Sequence, residues 1–313
     1  MRVNLFNRIV AKIQNIIIKP GDLFRYGTPS WRKNYFLISN FLRKSVVNER
    51  KSFPATDSII DDVKGFYFEN IASLDKAFDI NLTKAIDYSN EKIDKYIQLN
   101  KLNNNSKDYL QSVLHKSELK PSDPIIKIAM DDYLVNLASN YLGMIPIIGQ
   151  IQLWHSPNNS IQEEGSQFFH LDYADIKQFK VFIMLDDIDK NTGPLTFLPS
   201  RESKIISEAI NYKLSNEDIR ISDEVVKKYV SKDSWVQATG KKGQILYIDT
   251  CRCMHFGSRN GVKPRRILMI QYITPFSFTL PWKFKGNTYL NSLFKDNSNL
   301  EEISVNKRLL IGL

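Results

Sequence analysis

Cysteine is nearly absent from this 313-residue chain: there are two, Cys251 and Cys253. They stand too close together for an ordinary stapling disulfide, which excludes a disulfide framework and suits a reducing, cytoplasmic setting. Histidine is scarce as well, with four residues, so any histidine beside a second type of metal ligand stands out. No stretch approaches the roughly 18–20 uninterrupted apolar residues of a membrane-crossing helix. No glycine-rich loop follows an apolar strand, which leaves the common nucleotide-binding modes without support. The first residues lack the small-residue cleavage site of a secretory leader, and Arg8 and Lys12 interrupt their apolar run.

What is present is an ordinary soluble composition with an unusual distribution of charge. The length allows one large domain or two modest ones. Residues 1–51 carry eleven Lys/Arg against Asp22 and Glu49, a difference equal to the whole formal charge of +9. The remaining 262 residues are therefore neutral, with no sign of a nucleic-acid groove. Basicity belongs to an N-terminal appendage.

Within that appendage, residues 3–18 read as an amphipathic helix, with Leu5, Phe6, Ile9, Val10, Ile13, Ile16 and Ile17 on one face and Pro20-Gly21 as its stop. Arg2, Arg8, Lys12 and Lys19 accompany it. Residues 1–20 are thus a candidate for peripheral contact with an anionic membrane, at its inner face, against self-packing or dimerisation as the alternatives. Residues 22–56 read as an irregular, aromatic and basic connector. The division expected is 1–56, helix and connector, and 57–313, one compact domain.

In that domain, "SLDKAFDINLTKAIDYSNEKIDKYI" predicts one or two surface helices. "SDPIIKIAMDDYLVNLASNYLG" predicts a helix capped at Ser122 or Asp123 and stopped by Gly143. Strands follow in "IIGQIQLWHS", "KQFKVFIMLDDI", "LTFLPS", "GQILYIDT" and "RRILMIQYIT", with a helical insertion over about 202–232. Helices first and strands after predict an α+β, mainly β fold: an antiparallel core flanked by helices. Asp186 and Asp187 read as a solvated strand end, and the two cysteines as small buried residues.

A lone histidine is most often a surface or structural residue. His115 fits that description; His155, ending a strand, reads as peripheral to any site. His170 and Asp172 are different. Residues two apart on a strand project to the same side, so both can address one point while Leu171 turns away. His255 follows a second apolar strand. Two imidazoles and one carboxylate leave coordination positions open, an arrangement suited to non-haem Fe(II) chemistry with O2. On "RRILMIQYIT", alternation puts Arg266 with Leu268, Ile270 and Tyr272, and Arg265 on the other side. An arginine held on an apolar face needs an anion. Arg266 is therefore the expected partner of a dicarboxylate, and Arg265 is expected at the solvated rim.

"FFHLDYAD", "NTGPLTFLP" and "DTCRCMHFGSRNGVKPRRILMIQY", in this order, resemble the phytanoyl-CoA dioxygenase family over roughly residues 60–275. The resemblance implies a double-stranded β-helix (a jelly roll, cupin-like) and a hydroxylase that uses Fe(II), 2-oxoglutarate and O2. It implies His170, Asp172 and His255 as iron ligands, Arg266 as the grip on the distal carboxylate of 2-oxoglutarate, and Gln152 as a polar co-substrate contact. Related halogenases have a small residue where Asp172 stands, so the carboxylate implies hydroxylation. The chain departs from the family at "PSRES", and "HFGSRN" leaves the role of Ser258 open, as "NTGPL" does that of Thr196. The expected substrate is a small molecule, a glycan or a lipid-linked precursor. Two other readings compete: a non-catalytic protein acting at a membrane through its basic N-terminus, and a zinc or manganese cupin-type enzyme without 2-oxoglutarate. The latter leaves Arg266 unexplained.

Overall fold

A computed structural model describes residues 24, 28–42, 44–51, 58–100, 109–158, 165–214, 220–281, 283–295 and 304–313. The amphipathic stretch 3–18 lies outside them. The strands are β1 (Phe66–Phe68), β2 (Gln111–Ser112), β3 (Ile147–Ser156), β4 (Gln178–Met184), β5 (Thr196–Phe197), β6 (Val236–Gln237), β7 (Ile245–Ile248), β8 (His255–Phe256) and β9 (Arg265–Ile273). They form a six-stranded sheet, in the order β1-β7-β4-β9-β3-β2, and a three-stranded sheet, β6-β5-β8. Every pairing is antiparallel. The two sheets share the lining of one cavity, with Trp154, Phe182, Ile267 and Met269 from the larger and His255 from the smaller. This is a double-stranded β-helix flanked by helices.

Both faces of the large sheet are buried, and strand alternation decides which residue faces which side. One face carries Ile151 and Leu153 of β3, Phe179, Val181 and Ile183 of β4, Ile245 and Tyr247 of β7, and Leu268, Ile270 and Tyr272 of β9. These pack on three helices: α3 (Lys76–Asn100), α4 (Pro124–Ala129) and α5 (Asp132–Leu142). The other face, carrying Phe182, Met184, Leu246, Ile248, Ile267 and Met269, looks toward the second sheet.

Several elements differ from the sequence expectations for identifiable reasons. The stretch expected to be an irregular connector contains two helices, α1 (Pro29–Leu42) and α2 (Lys44–Arg50). The single helix expected after Ser122 is two, because Asp131 adopts an extended conformation and its carboxylate accepts the Tyr133 N–H at 3.0 Å, capping α5. Gly143, at φ +74°, closes α5 as expected. The insertion between β5 and β6 holds α6 (Ser200–Ala209) and α7 (Asp223–Lys227). Beyond β9 come α8 (Asn291–Lys295) and α9 (Val305–Leu310).

Arg50, at the end of α2, is 1% exposed. It donates through Nη1 to the Ile145 and Pro146 carbonyls (2.9 and 3.1 Å) and through Nη2 to the Leu309 carbonyl (2.9 Å). Burial pulls its guanidinium down to about 10. Three segments far apart in the chain are tied by one side chain. Arg50→Ala should therefore cost about 3 kcal/mol, since buried carbonyls lose their donor. A chemical-denaturation midpoint within error of the parent would refute this.

Candidate metal centre

His170 and His255 are brought together by their own backbones. The His170 N–H donates to the His255 carbonyl at 3.1 Å, and the His255 N–H returns the bond at 3.0 Å. The rings lie side by side, with centroids 4.3 Å apart. In each, Nδ1 faces a main-chain carbonyl: Phe168 at 2.9 Å for His170, Cys253 at 3.0 Å for His255. A carbonyl only accepts, so both Nδ1 atoms carry the proton and both Nε2 lone pairs are left for a metal. Burial, assisted by the neighbouring imidazole, takes His255 down to about 3; burial also lowers His170. Both rings are neutral at neutral pH, as metal ligation requires.

Asp172 completes the group. Ligand atoms of His170, Asp172 and His255 all lie within 4.8 Å of one another, and Asp172 Oδ1 is 3.9 Å from His255 Nε2. The Asp172 N–H is anchored on the Thr250 carbonyl at 2.9 Å. Its other oxygen, Oδ2, is fully engaged: Lys180 Nζ donates at 2.5 Å, Gln178 Nε2 at 2.9 Å, and the Thr250 hydroxyl also donates. Burial would raise this carboxyl, but Lys180 and the two histidines more than reverse that and hold it well below the usual range. One oxygen is thus fixed by the protein and one is free to coordinate. Two neutral Nε2 donors and one carboxylate oxygen, oriented in advance, fit a divalent transition metal with open positions.

The three residues line a cavity of about 280 Å³. Its walls are mainly apolar, with Trp154, Phe182, Met184, Ile267 and Met269, and its polar groups include Gln150, Lys180, Ser258 and Arg265. Here the sequence expectation needs correction. Arg266 points to the helix-covered side, where Nη2 meets Asp94 at 2.7 Å and Nε meets Asp186 at 3.4 Å. Arg265 is the inward arginine. It is 5% exposed, donates to the Gly193 carbonyl at 2.7 Å and to Ser258 Oγ at 2.6 Å, and leaves Nε without a partner among the described residues. Burial alone lowers it to about 10. Alternation on β9 separates the two arginines as expected, with the sides exchanged: the more apolar face packs on helices, and the mixed face lines the cavity.

The loop holding Arg265 is itself constrained. Ser258 sits at φ +57° and its hydroxyl also meets Ser156 Oγ at 2.7 Å. Gly193, at φ +60°, passes so close to Arg259 that an added Cβ would stand 3.2 Å from its backbone. Gln152 occupies the cavity face of β3 but is not a lining residue. Its Oε1 accepts from Ser112 Oγ at 2.6 Å, and Gln150 and Trp154 on either side reach the cavity instead. Thr196 is buried and donates to the Pro194 carbonyl; Leu195 lines the cavity in its place. His155 opposes Arg266 on the far face of the sheet, and His115 is exposed. Both cysteines are buried, which pushes their thiols well up, and Cys253 Sγ turns to the Gly65 carbonyl.

Lys180, Gln178 and Thr250 belong to no motif in the sequence, and Arg265, expected at the rim, is instead in the cavity. Lys180 had a signal: it is a lone charge inside a strand, two residues from Gln178 and so on the same face.

No protein-family model matches the chain, and no curated protein does. Solved structures with a similar fold include AviO1 from Streptomyces viridochromogenes Tue57, at 16% identity and TM-score 0.45, over 69% of this chain and 92% of that one. EctD from S. alaskensis, solved with 2-oxoglutarate and 5-hydroxyectoine, is 16% identical with TM-score 0.45, over 71% and 79%. HygX from Streptomyces hygroscopicus, with nickel and 2-oxoglutarate bound, is 11% identical with TM-score 0.45, over 69% and 85%.

Lys180 is the cation that balances Asp172 when no metal is present. Lys180→Met should cost about 3 kcal/mol in metal-free protein, by stranding a largely buried carboxylate. Added Mn(II) should then raise the melting temperature of the variant more than that of the parent. Equal shifts would show that Lys180 does not balance this charge.

Proposed function

We propose that the protein is a non-haem Fe(II) oxygenase that uses 2-oxoglutarate and O2, and that it hydroxylates a small-molecule, glycan or lipid-linked substrate. The observation that carries this reading is the pairing, in one apolar cavity, of a His/Asp/His donor set with a buried arginine that has no acidic partner among the described residues. His170, Asp172 and His255 would hold the metal through Nε2, Oδ1 and Nε2. Arg265, with Ser258 beside it, would hold the distal carboxylate of the co-substrate, because a buried guanidinium without a counter-charge favours an anion. When bound, iron would couple decarboxylation of 2-oxoglutarate to oxidation of a second substrate. The apolar walls would exclude water, and the engagement of Oδ2 would keep Asp172 monodentate, so that positions for co-substrate and O2 stay open. A zinc or manganese enzyme without 2-oxoglutarate leaves Arg265 without a role, as it left Arg266 before.

The direct test is anaerobic addition of Fe(II) and then 2-oxoglutarate, watched for the weak visible charge-transfer band of the chelate. Its absence at saturating iron would reject the assignment. His170→Ala and His255→Ala should abolish succinate formation, since each removes one of three ligands. Arg265→Ala should weaken 2-oxoglutarate binding by about 2–5 kcal/mol, whereas Arg266→Ala should leave it unchanged. The reverse pattern would move the anchor to the helix-covered face and contradict the geometry. Asp172→Gly should lose hydroxylation; full activity would show that Asp172 is not a ligand.

A further inference from the structure

Helix α1 is inside out. Its buried positions are polar or mixed: Arg32, Tyr35 and Ser39 are buried, and Phe36 and Asn40 partly so. Its exposed positions are the more apolar: Trp31 is 46% exposed, Leu37 53%, Ile38 51%, Phe41 79% and Leu42 57%. At 100° per residue these five fall within an arc of about 140°, as wide as the core-facing stripe of an ordinary helix. A helix that faced only water would show the opposite pattern, with its apolar residues against the body.

The helix is firmly held in this orientation. Arg32 Nη2 donates to the Asp175 carbonyl at 2.5 Å, and its guanidinium lies 4.9 Å from the Phe278 ring centroid. Tyr35 packs on Phe278, and Phe36 on Phe276, each with centroids 5.1 Å apart. The apolar face therefore lies opposite the side that these contacts hold against the body. Around it, Lys33, Lys44 and Lys51 are exposed, and residues 1–51 hold the entire net charge of the protein.

We infer that the outer face of α1 docks into the interface of an anionic lipid bilayer, with Lys33, Lys44 and Lys51 on the headgroups. An apolar arc rich in aromatic residues and rimmed by basic charge is the composition that such an interface selects. Charge decides between the occupants. A second copy of this chain would bring Lys33, Lys44 and Lys51 towards their own counterparts, and the two sets would repel. A bilayer with anionic headgroups neutralises them instead. The inner side of α1, opposite the docked surface, meets the segment that carries Asp172, because Arg32 grips that segment three residues farther on. The inference stands independently of the chemistry proposed for the cavity.

The test uses the full chain and vesicles of equal parts phosphatidylglycerol and phosphatidylcholine. The protein should float with these vesicles at low salt. It should bind pure phosphatidylcholine at least tenfold less, and release as salt is raised. The double variant Ile38→Glu/Phe41→Glu, altered only at exposed positions, should lose binding at least tenfold while keeping the parent's melting temperature and Mn(II)-induced thermal shift. A chain that ignores anionic vesicles overturns the inference in either of two ways. If it is a dimer that the double variant dissociates, a second copy covers the face. If it is a monomer that the double variant destabilises, the chain covers the face itself. Unchanged vesicle binding by the folded double variant would also overturn it, by placing the contact elsewhere.

Discussion

The large sheet is buried on both faces, and this constraint organises everything else in the protein. A strand between two buried layers can take no polar side chain without a defined partner. Each alternate position on β3, β4 and β9 therefore belongs either to the helix-packed core or to the cavity. On β9 a single residue step separates Arg266, in an ion-pair cluster with Asp94 and Asp186, from Arg265, facing the cavity. On β3 the same step separates Trp154, in the cavity wall, from His155, opposite Arg266. Chemistry is assigned here by parity, not by nearness along the chain.

Parity also explains what could be read from the sequence. The strands were visible as short β-branched and aromatic runs, and β3 was delimited to the residue. His170 and Asp172 are visible through a spacing that matches a strand's, although His170 makes only an isolated bridge with His255 and Asp172 belongs to no strand. The side on which each strand face lies was not visible. Hydrophobicity alone points to the more apolar face of β9 as the inner one, and that face is covered by α3 and α4. Gln152 shows the same limit: it has the correct parity, but its amide is engaged by Ser112 at the sheet edge. Helix α1 is hard to see because Tyr35 and Phe36 on its inner side join Trp31, Leu37, Ile38, Phe41 and Leu42 on its outer side, which blurs the apolar stripe.

The metal centre depends on division of labour within one carboxylate. Oδ2 of Asp172 is spent on Lys180, Gln178 and Thr250, and Oδ1 is presented to the histidines. Main-chain carbonyls of Phe168 and Cys253 do the corresponding work for the imidazoles. None of these orienting contacts is signalled by a motif, since two are backbone and the others come from β4 and from the turn after β7. The ligands were legible and their supports were not.

The stitching of Leu309 to Arg50 has a consequence for how the protein is made. Arg50 emerges early in synthesis, yet one of its acceptors lies 259 residues later. Until that acceptor arrives, the guanidinium can reach at most the Ile145 and Pro146 carbonyls, and the packing of α9 near β3 is missing. This buried hydrogen bond therefore cannot form while the ribosome still holds residue 309. The metal ligands, the last of them His255, are all made before this tie is complete, so the order of synthesis places the site before its distant brace.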